Sequence, residues 1–102
     1  AAKTLAGEIA LKAFPQASDE EVIQELTKVK GIGRWTAEMF LMFTLGREDI
    51  FSFGDLGLKK AFTHLYGKRR ARTRKTMERI ITAWSPYRSY ASLALWESID
   101  SP

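Results

Sequence analysis

Asp55 follows the aromatic run Phe51-Ser52-Phe53-Gly54 and precedes a stretch of helical periodicity, so it stands where a helix begins. Backbone N–H groups at a helix start hold a carboxylate ionised and in place, which charge stabilisation at a reacting centre requires. The same position suits a simple N-cap, and the Gly54-Asp55-Leu56 context by itself favours the cap. A second group is Lys30-Gly31-Ile32-Gly33-Arg34. Its glycines permit positive φ and close backbone approach, while Ile32 can plug into the core. The amides of Gly31, Gly33 and Arg34 then point outward at the start of a helix, with Lys30 and Arg34 adding charge. That arrangement suits a phosphate, although a plain corner between two helices would use the glycines equally well. Trp35 and Trp96 form the third group. Core packing is the ordinary fate of such aromatics, but Trp35 lies at the hairpin end of its helix, where an indole face would attract a cationic ring.

The elements that position these groups read as helices throughout. Leu5, Ile9 and Phe14 mark a first amphipathic helix from about Lys3 to Ala13, stopped near Pro15. Ser18-Asp19-Glu20-Glu21 has the pattern of a capping box and starts a helix with Val22, Ile23 and Leu26 on its inner face. After the hairpin, a helix from about Arg34 to Leu45 carries Trp35, Met39, Phe40, Met42 and Phe43, which predicts an apolar, central element closed by Gly46. Further helices are expected from Leu56 to Tyr66, ended by Gly67, and from about Thr73 to Ala83. The last is expected to open at Ser85 as N-cap with Pro86 in the first turn, and to run to about Ser98. The fold class is all-α, a helical bundle containing a helix–hairpin–helix.

Composition narrows the chemistry. A chain of 102 residues is one domain at most, and its 45% hydrophobic and 27% charged residues argue for a globular fold over disorder. No apolar run approaches the ~18 residues that cross a bilayer and no signal-peptide pattern is visible, which predicts a soluble protein with no membrane partner. With no cysteine there is no disulfide, no thiolate metal site and no cysteine-ligated iron–sulfur cluster. The only histidine, His64, lies one turn from Lys60 and does not suggest a metal ligand. Charge is unevenly spread: residues 1–50 carry 6 basic and 8 acidic side chains, and residues 51–102 carry 10 and 4. The excess gathers in Lys68, Arg69, Arg70, Arg72, Arg74, Lys75 and Arg79. Such a run is either a solvated face or one that steers a polyanion.

Val29-Lys-Gly-Ile-Gly-Arg-Trp-Thr-Ala37 closely resembles the hairpin of the helix–hairpin–helix DNA glycosylases, and within them the 3-methyladenine DNA glycosylase II branch. Asp49-Ile-Phe-Ser-Phe-Gly-Asp-Leu-Gly-Leu58, Met77-Glu-Arg-Ile80 and Trp84-Ser-Pro-Tyr-Arg-Ser-Tyr-Ala-Ser-Leu-Ala-Leu-Trp96 fit that branch in the same order. Together they cover nearly all of the chain from Ser18 onward. The resemblance implies base-excision repair: hydrolysis of the N-glycosidic bond of alkylated purines in double-stranded DNA after base flipping. It implies Asp55 as the essential carboxylate, beside an oxocarbenium-like sugar, and Trp35 and Trp96 as walls of the base pocket. It further implies that Lys30, Gly31, Ile32, Gly33, Arg34 and Thr36 grip the DNA backbone.

Relatives that also cut the strand carry a lysine at the position of Trp35, where it forms a Schiff base. A tryptophan there implies a monofunctional enzyme that leaves an abasic site. No cofactor is required on this reading. A bound cation would be monovalent, Na+ or K+, held by the backbone carbonyls of Thr27, Val29 and Ile32, as the resemblance suggests. Arg88 is expected to tie the last helix to its neighbours.

The family's catalytic fold is larger, so the 102 residues are expected to be its C-terminal part, with the hairpin at about 26–37 and the catalytic loop at about 49–58. Truncation would expose an apolar face and promote self-association. The expected location is intracellular, in bacterial cytoplasm and nucleoid or in a nucleus. A non-catalytic helix–hairpin–helix module that only binds DNA is the alternative, and a monofunctional glycosylase with other base selectivity is a third.

Overall fold

The computed structural model describes residues 17–100, and the helix expected from about Lys3 to Ala13 lies outside them. The described residues are helical and contain no strand. The chain forms two compact units, residues 1–47 and 48–102.

In the first unit, α1 (Asp19–Thr27) starts at the capping box: the Ser18 hydroxyl accepts from the Glu21 amide at 3.2 Å, and the Glu21 carboxylate accepts from the Ser18 amide at 3.0 Å. The Ser18 amide, aided by the Ser18 side chain, holds the Glu21 carboxyl below its ordinary value. α2 (Arg34–Phe43) packs on α1 through Val22, Ile23 and Leu26 on one side and Ala37, Leu41 and Met42 on the other, all buried. It ends two residues before the expected Leu45. Gly46, at φ +67°, turns the chain so that the Arg47 amide returns to the Leu41 carbonyl at 2.9 Å. α2 is apolar as expected, but not buried throughout: Trp35 and Phe43 are 50% and 62% exposed.

The second unit holds α3 (Leu56–Tyr66), α4 (Arg74–Ile81), a short 3-10 turn (Thr82–Trp84) and α5 (Arg88–Asp100). Leu58 and Phe62 of α3, Met77 and Ile81 of α4 and Leu95 of α5 share one core with Phe51. Tyr66 stacks on the Phe62 ring, centroids 4.7 Å apart. α3 has the expected bounds, Asp55 capping it and Gly67 (φ +92°) ending it. Thr73 and Thr76 cap α4 reciprocally.

The last helix departs from expectation: it begins at Arg88, with neither Ser85 as its cap nor Pro86 in its first turn. The Ser85-Pro86 peptide is cis, and the Tyr87 amide closes a turn onto the Trp84 carbonyl at 2.9 Å. The cap comes from upstream. The Asp49 carboxylate accepts from the Arg88 amide at 3.2 Å and from Arg88 Nε at 2.7 Å, and the Glu48 carbonyl takes the Ser89 amide at 2.8 Å. Arg88 thus ties α5 to the segment before the aromatic loop, as expected. Burial opposes ionisation of Asp49, yet the bonds from Arg88 and Ser85 outweigh it and hold the carboxyl below its usual value.

A carboxyl depressed on folding stabilises above its unfolded pKa of about 3.9 and loses that contribution as pH falls through the folded value. Asp49→Asn is therefore expected to lower the unfolding free energy by about 2 kcal/mol at pH 7. Urea titrations of both proteins should show the gap closing in acid; a gap independent of pH would contradict this role.

Candidate active site and nucleic-acid interface

Asp55 lies at the junction of the aromatic loop and α3, in extended conformation (φ −80°, ψ 120°). Its amide donates to the Ser52 carbonyl at 3.1 Å, and Ser52 is fully buried, so the loop has a fixed base. One carboxylate oxygen, Oδ2, accepts from the Leu58 amide at 2.9 Å, the cap bond, and from Trp96 Nε1 of α5 at 2.9 Å. A cap needs only the first of these. The second brings an indole across 41 positions of sequence onto the same oxygen.

Gly57 makes that approach feasible. A Cβ at this position would stand 3.2 Å from Asp55 Oδ2 and 3.3 Å from both Cδ1 and Nε1 of Trp96. The carboxylate is thus fixed by a helix start on one side and an indole edge on the other. Nothing in the sequence alone singles out Gly57 beyond its place two positions after Asp55, inside a helix, where glycine lowers stability unless space demands it.

In the first unit, the hairpin follows α1. The Val29 amide bonds the Leu26 carbonyl and the Ile32 amide the Val29 carbonyl, both at 3.1 Å. Gly31 takes φ +93°, as expected, whereas Gly33 does not take a positive φ. Gly33 is extended (φ −91°, ψ 178°) because it serves as the N-cap of α2, a position that favours β geometry. It has no side chain, and none caps α2, so the start of α2 is presented without a side-chain cover. Ile32 is half-buried, while Lys30, Gly31, Gly33, Arg34, Trp35 and Thr36 are exposed.

Arg34 differs from the free cation that its position suggests. Its guanidinium forks onto the Glu20 carboxylate at 2.9 and 3.0 Å and its Nε lies 3.4 Å from Glu38. The Glu20 bond raises its pKa above the ordinary arginine value. The unit thus presents amides and Lys30 more than a free guanidinium. Among the described residues, the carbonyls of Thr27 and Ile32 accept no backbone hydrogen bond, and that of Val29 accepts one.

In the second unit, Lys68, Arg69, Arg70 and Arg72 lie exposed or at the surface of the loop between α3 and α4, and none of them is in an ion pair among the described residues. Arg74 is paired, with Glu78 at 2.6 Å. His64 is exposed, and no group of three or more metal-ligating side chains occurs among the described residues. No helix among them is long and apolar enough to cross a membrane.

No family model matches the chain. Among curated proteins it is 38% identical over 94 residues to a Bacillus subtilis protein provisionally named a DNA-3-methyladenine glycosylase, covering 92% of this chain and 33% of that one. It is 36% identical over 81 residues to DNA-3-methyladenine glycosylase 1 of Schizosaccharomyces pombe, covering 79% of this chain and 36% of the relative. Among solved structures, that of DNA-3-methyladenine glycosidase from Bacillus halodurans matches with a TM-score of 0.79 and 40% identity, over 93% of this chain and 44% of that one. The chain spans about a third of the length of the curated relatives it matches.

Proposed function

We propose, for a chain that belongs in sequence and fold to the helix–hairpin–helix DNA glycosylase superfamily, that its residues carry the catalytic carboxylate of a monofunctional glycosylase acting on alkylated purines in duplex DNA. The supporting observation is the bond from Trp96 Nε1 to Asp55 Oδ2 at 2.9 Å. A structural cap has no use for a second donor brought in from a distant helix. A carboxylate that must hold one orientation against a reacting sugar does.

In the proposed reaction the C1′–N bond breaks and its electron pair leaves with the base. Alkylation at a ring nitrogen has already made that base positive, so departure neutralises it. C1′ becomes cationic, and the Asp55 carboxylate stabilises that charge until water adds to C1′ and releases a proton. The base reaches this position only when flipped from the stack, at a cost of a few kcal/mol. Trp96, in the same unit as Asp55, supplies aromatic surface for it, and Trp35, exposed at the start of α2, offers an indole face of its own.

The hairpin holds a backbone phosphate at the amides of Gly31, Gly33 and Arg34, with Lys30 and Thr36 beside them and Ile32 fixing the turn. A monovalent cation at the carbonyls of Thr27, Val29 and Ile32 would add positive charge facing that phosphate. Such a protein works where DNA is, in a bacterial nucleoid or a nucleus.

With Trp35 in place of a lysine there is no amine at that position to form a Schiff base. The expected product is an abasic site in an unbroken strand, read on a denaturing gel before and after alkali. Strand breaks before alkali, or an adduct trapped by borohydride, would contradict the monofunctional assignment. Salt-dependent DNA affinity without base release would favour a module that only binds.

A further inference from the structure

The unit that carries Asp55 also contains a cleft that the catalytic reading leaves unused. It has a volume of about 210 Å³ and opens beside the aromatic loop, between Phe53, Gly54, Lys59, Arg72 and Arg74. The guanidinium carbon of Arg74 lies 4.4 Å from the centroid of the Phe53 ring, and its Nε reaches Glu78 at 2.6 Å. Held from both sides, this cation has lost most of its rotamer freedom before any ligand arrives. Lys59 and Arg72 have no carboxylate partner among the described residues. Three cations therefore border one small cleft, and of these only Arg74 is paired, with Glu78.

Two features decide what such a cleft takes. Lys59 and Arg72, which lack a carboxylate partner among the described residues, repel one another, and an oxyanion between them relieves that repulsion while a neutral or apolar ligand does not. Gly54 in the cleft wall is the residue directly before Asp55, so the cleft adjoins the loop that carries the proposed catalytic carboxylate. In a DNA substrate the anion beside the reacting sugar is a backbone phosphate.

We infer that this cleft binds a DNA-backbone phosphodiester next to the reacting nucleotide, gripped by Lys59 and Arg72 against the fixed charge of Arg74. This rests on the glycosylase reading and adds to it a phosphate contact in the second unit, separate from the hairpin.

The test uses the full-length protein that contains these residues and a methylated DNA duplex, with affinity followed across a salt series. Each neutralised phosphate contributes about 0.9 to the slope of log affinity against log salt. The double variant Lys59→Gln, Arg72→Gln is expected to lose about 0.9 of that slope. Lys75→Gln, Arg79→Gln removes the same charge outside the cleft and is expected to lose less than half as much. Recovery of the slope by Arg72→Lys in place of Arg72→Gln would support a charge contact. An unchanged slope in the cleft variant, or equal losses in both double variants, overturns the cleft while leaving base release by the wild type intact. A wild type that releases no base and shows no salt-dependent binding overturns the glycosylase reading and the cleft together.

Discussion

Asp55→Asn is expected to slow base release from methylated duplex DNA by about 10³-fold, equivalent to about 4 kcal/mol of transition-state stabilisation. The substitution keeps the shape of the side chain and one oxygen. That oxygen can still accept from the Leu58 amide and from Trp96 Nε1, the two bonds that hold the native carboxylate at 2.9 Å each. Asparagine caps helices about as well as aspartate, so α3 should form as before. What disappears is the negative charge that the proposed reaction sets against a cationic sugar. Thermal unfolding and DNA affinity should therefore change little while the single-turnover rate collapses. A variant that keeps a tenth or more of the wild-type rate would show that Asp55 is only a cap.

Gly57→Val is expected to cost about 10²-fold in the same rate, by moving the partner of the carboxylate without touching the carboxylate's charge. Among the described glycines, Gly57 is the one at which an added Cβ meets other atoms within 4 Å, and those atoms belong to Asp55 and Trp96. At 3.2 and 3.3 Å the neighbours must give way, and the two further methyls of valine ask for more room than the indole edge has. Valine is a better helix former than glycine, so weakened α3 propensity cannot account for a loss of rate. Gly57→Ala should fall between, at about a tenfold loss on the same grounds of displaced geometry. The split between rate and affinity separates this from a packing defect: kcat should fall while DNA affinity persists. Equal activity in all three proteins would show that the Trp96 bond plays no part in the reaction.

What the sequence discloses here depends on how far apart the partners lie. The bounds of α3 are legible because Asp55 and Gly67, the residues that start and stop it, adjoin it in the chain. The capping box of α1 is legible for the same reason, with Ser18 and Glu21 close together in the chain. The start of α5 is not, because its cap is Asp49, 39 positions upstream, while Ser85-Pro86 offers a plausible local signal that the turn onto Trp84 overrides. Arg34 reads as a DNA-facing cation until Glu20, 14 positions away, is seen forked on it.

The candidate site divides in the same manner. Asp55 and Trp96 are identified individually by resemblance, but the bond between them and the space at Gly57 depend on how α3 and α5 pack. The glycines of the hairpin show the complementary case. Either could free the backbone, yet only Gly31 uses a positive φ, and Gly33 serves by lacking a side chain at a helix start.

Whether a carboxylate held by Trp96 and Leu58 removes alkylated bases from DNA is decided by chromatography of the free bases released from methylated duplex DNA. The full-length protein carrying this sequence is compared with its Asp55→Asn variant. The expected outcome is 3-methyladenine in the wild-type supernatant and about a thousandth of that rate in the variant. Free base from neither protein, or from both at equal rates, would refute the role assigned to Asp55.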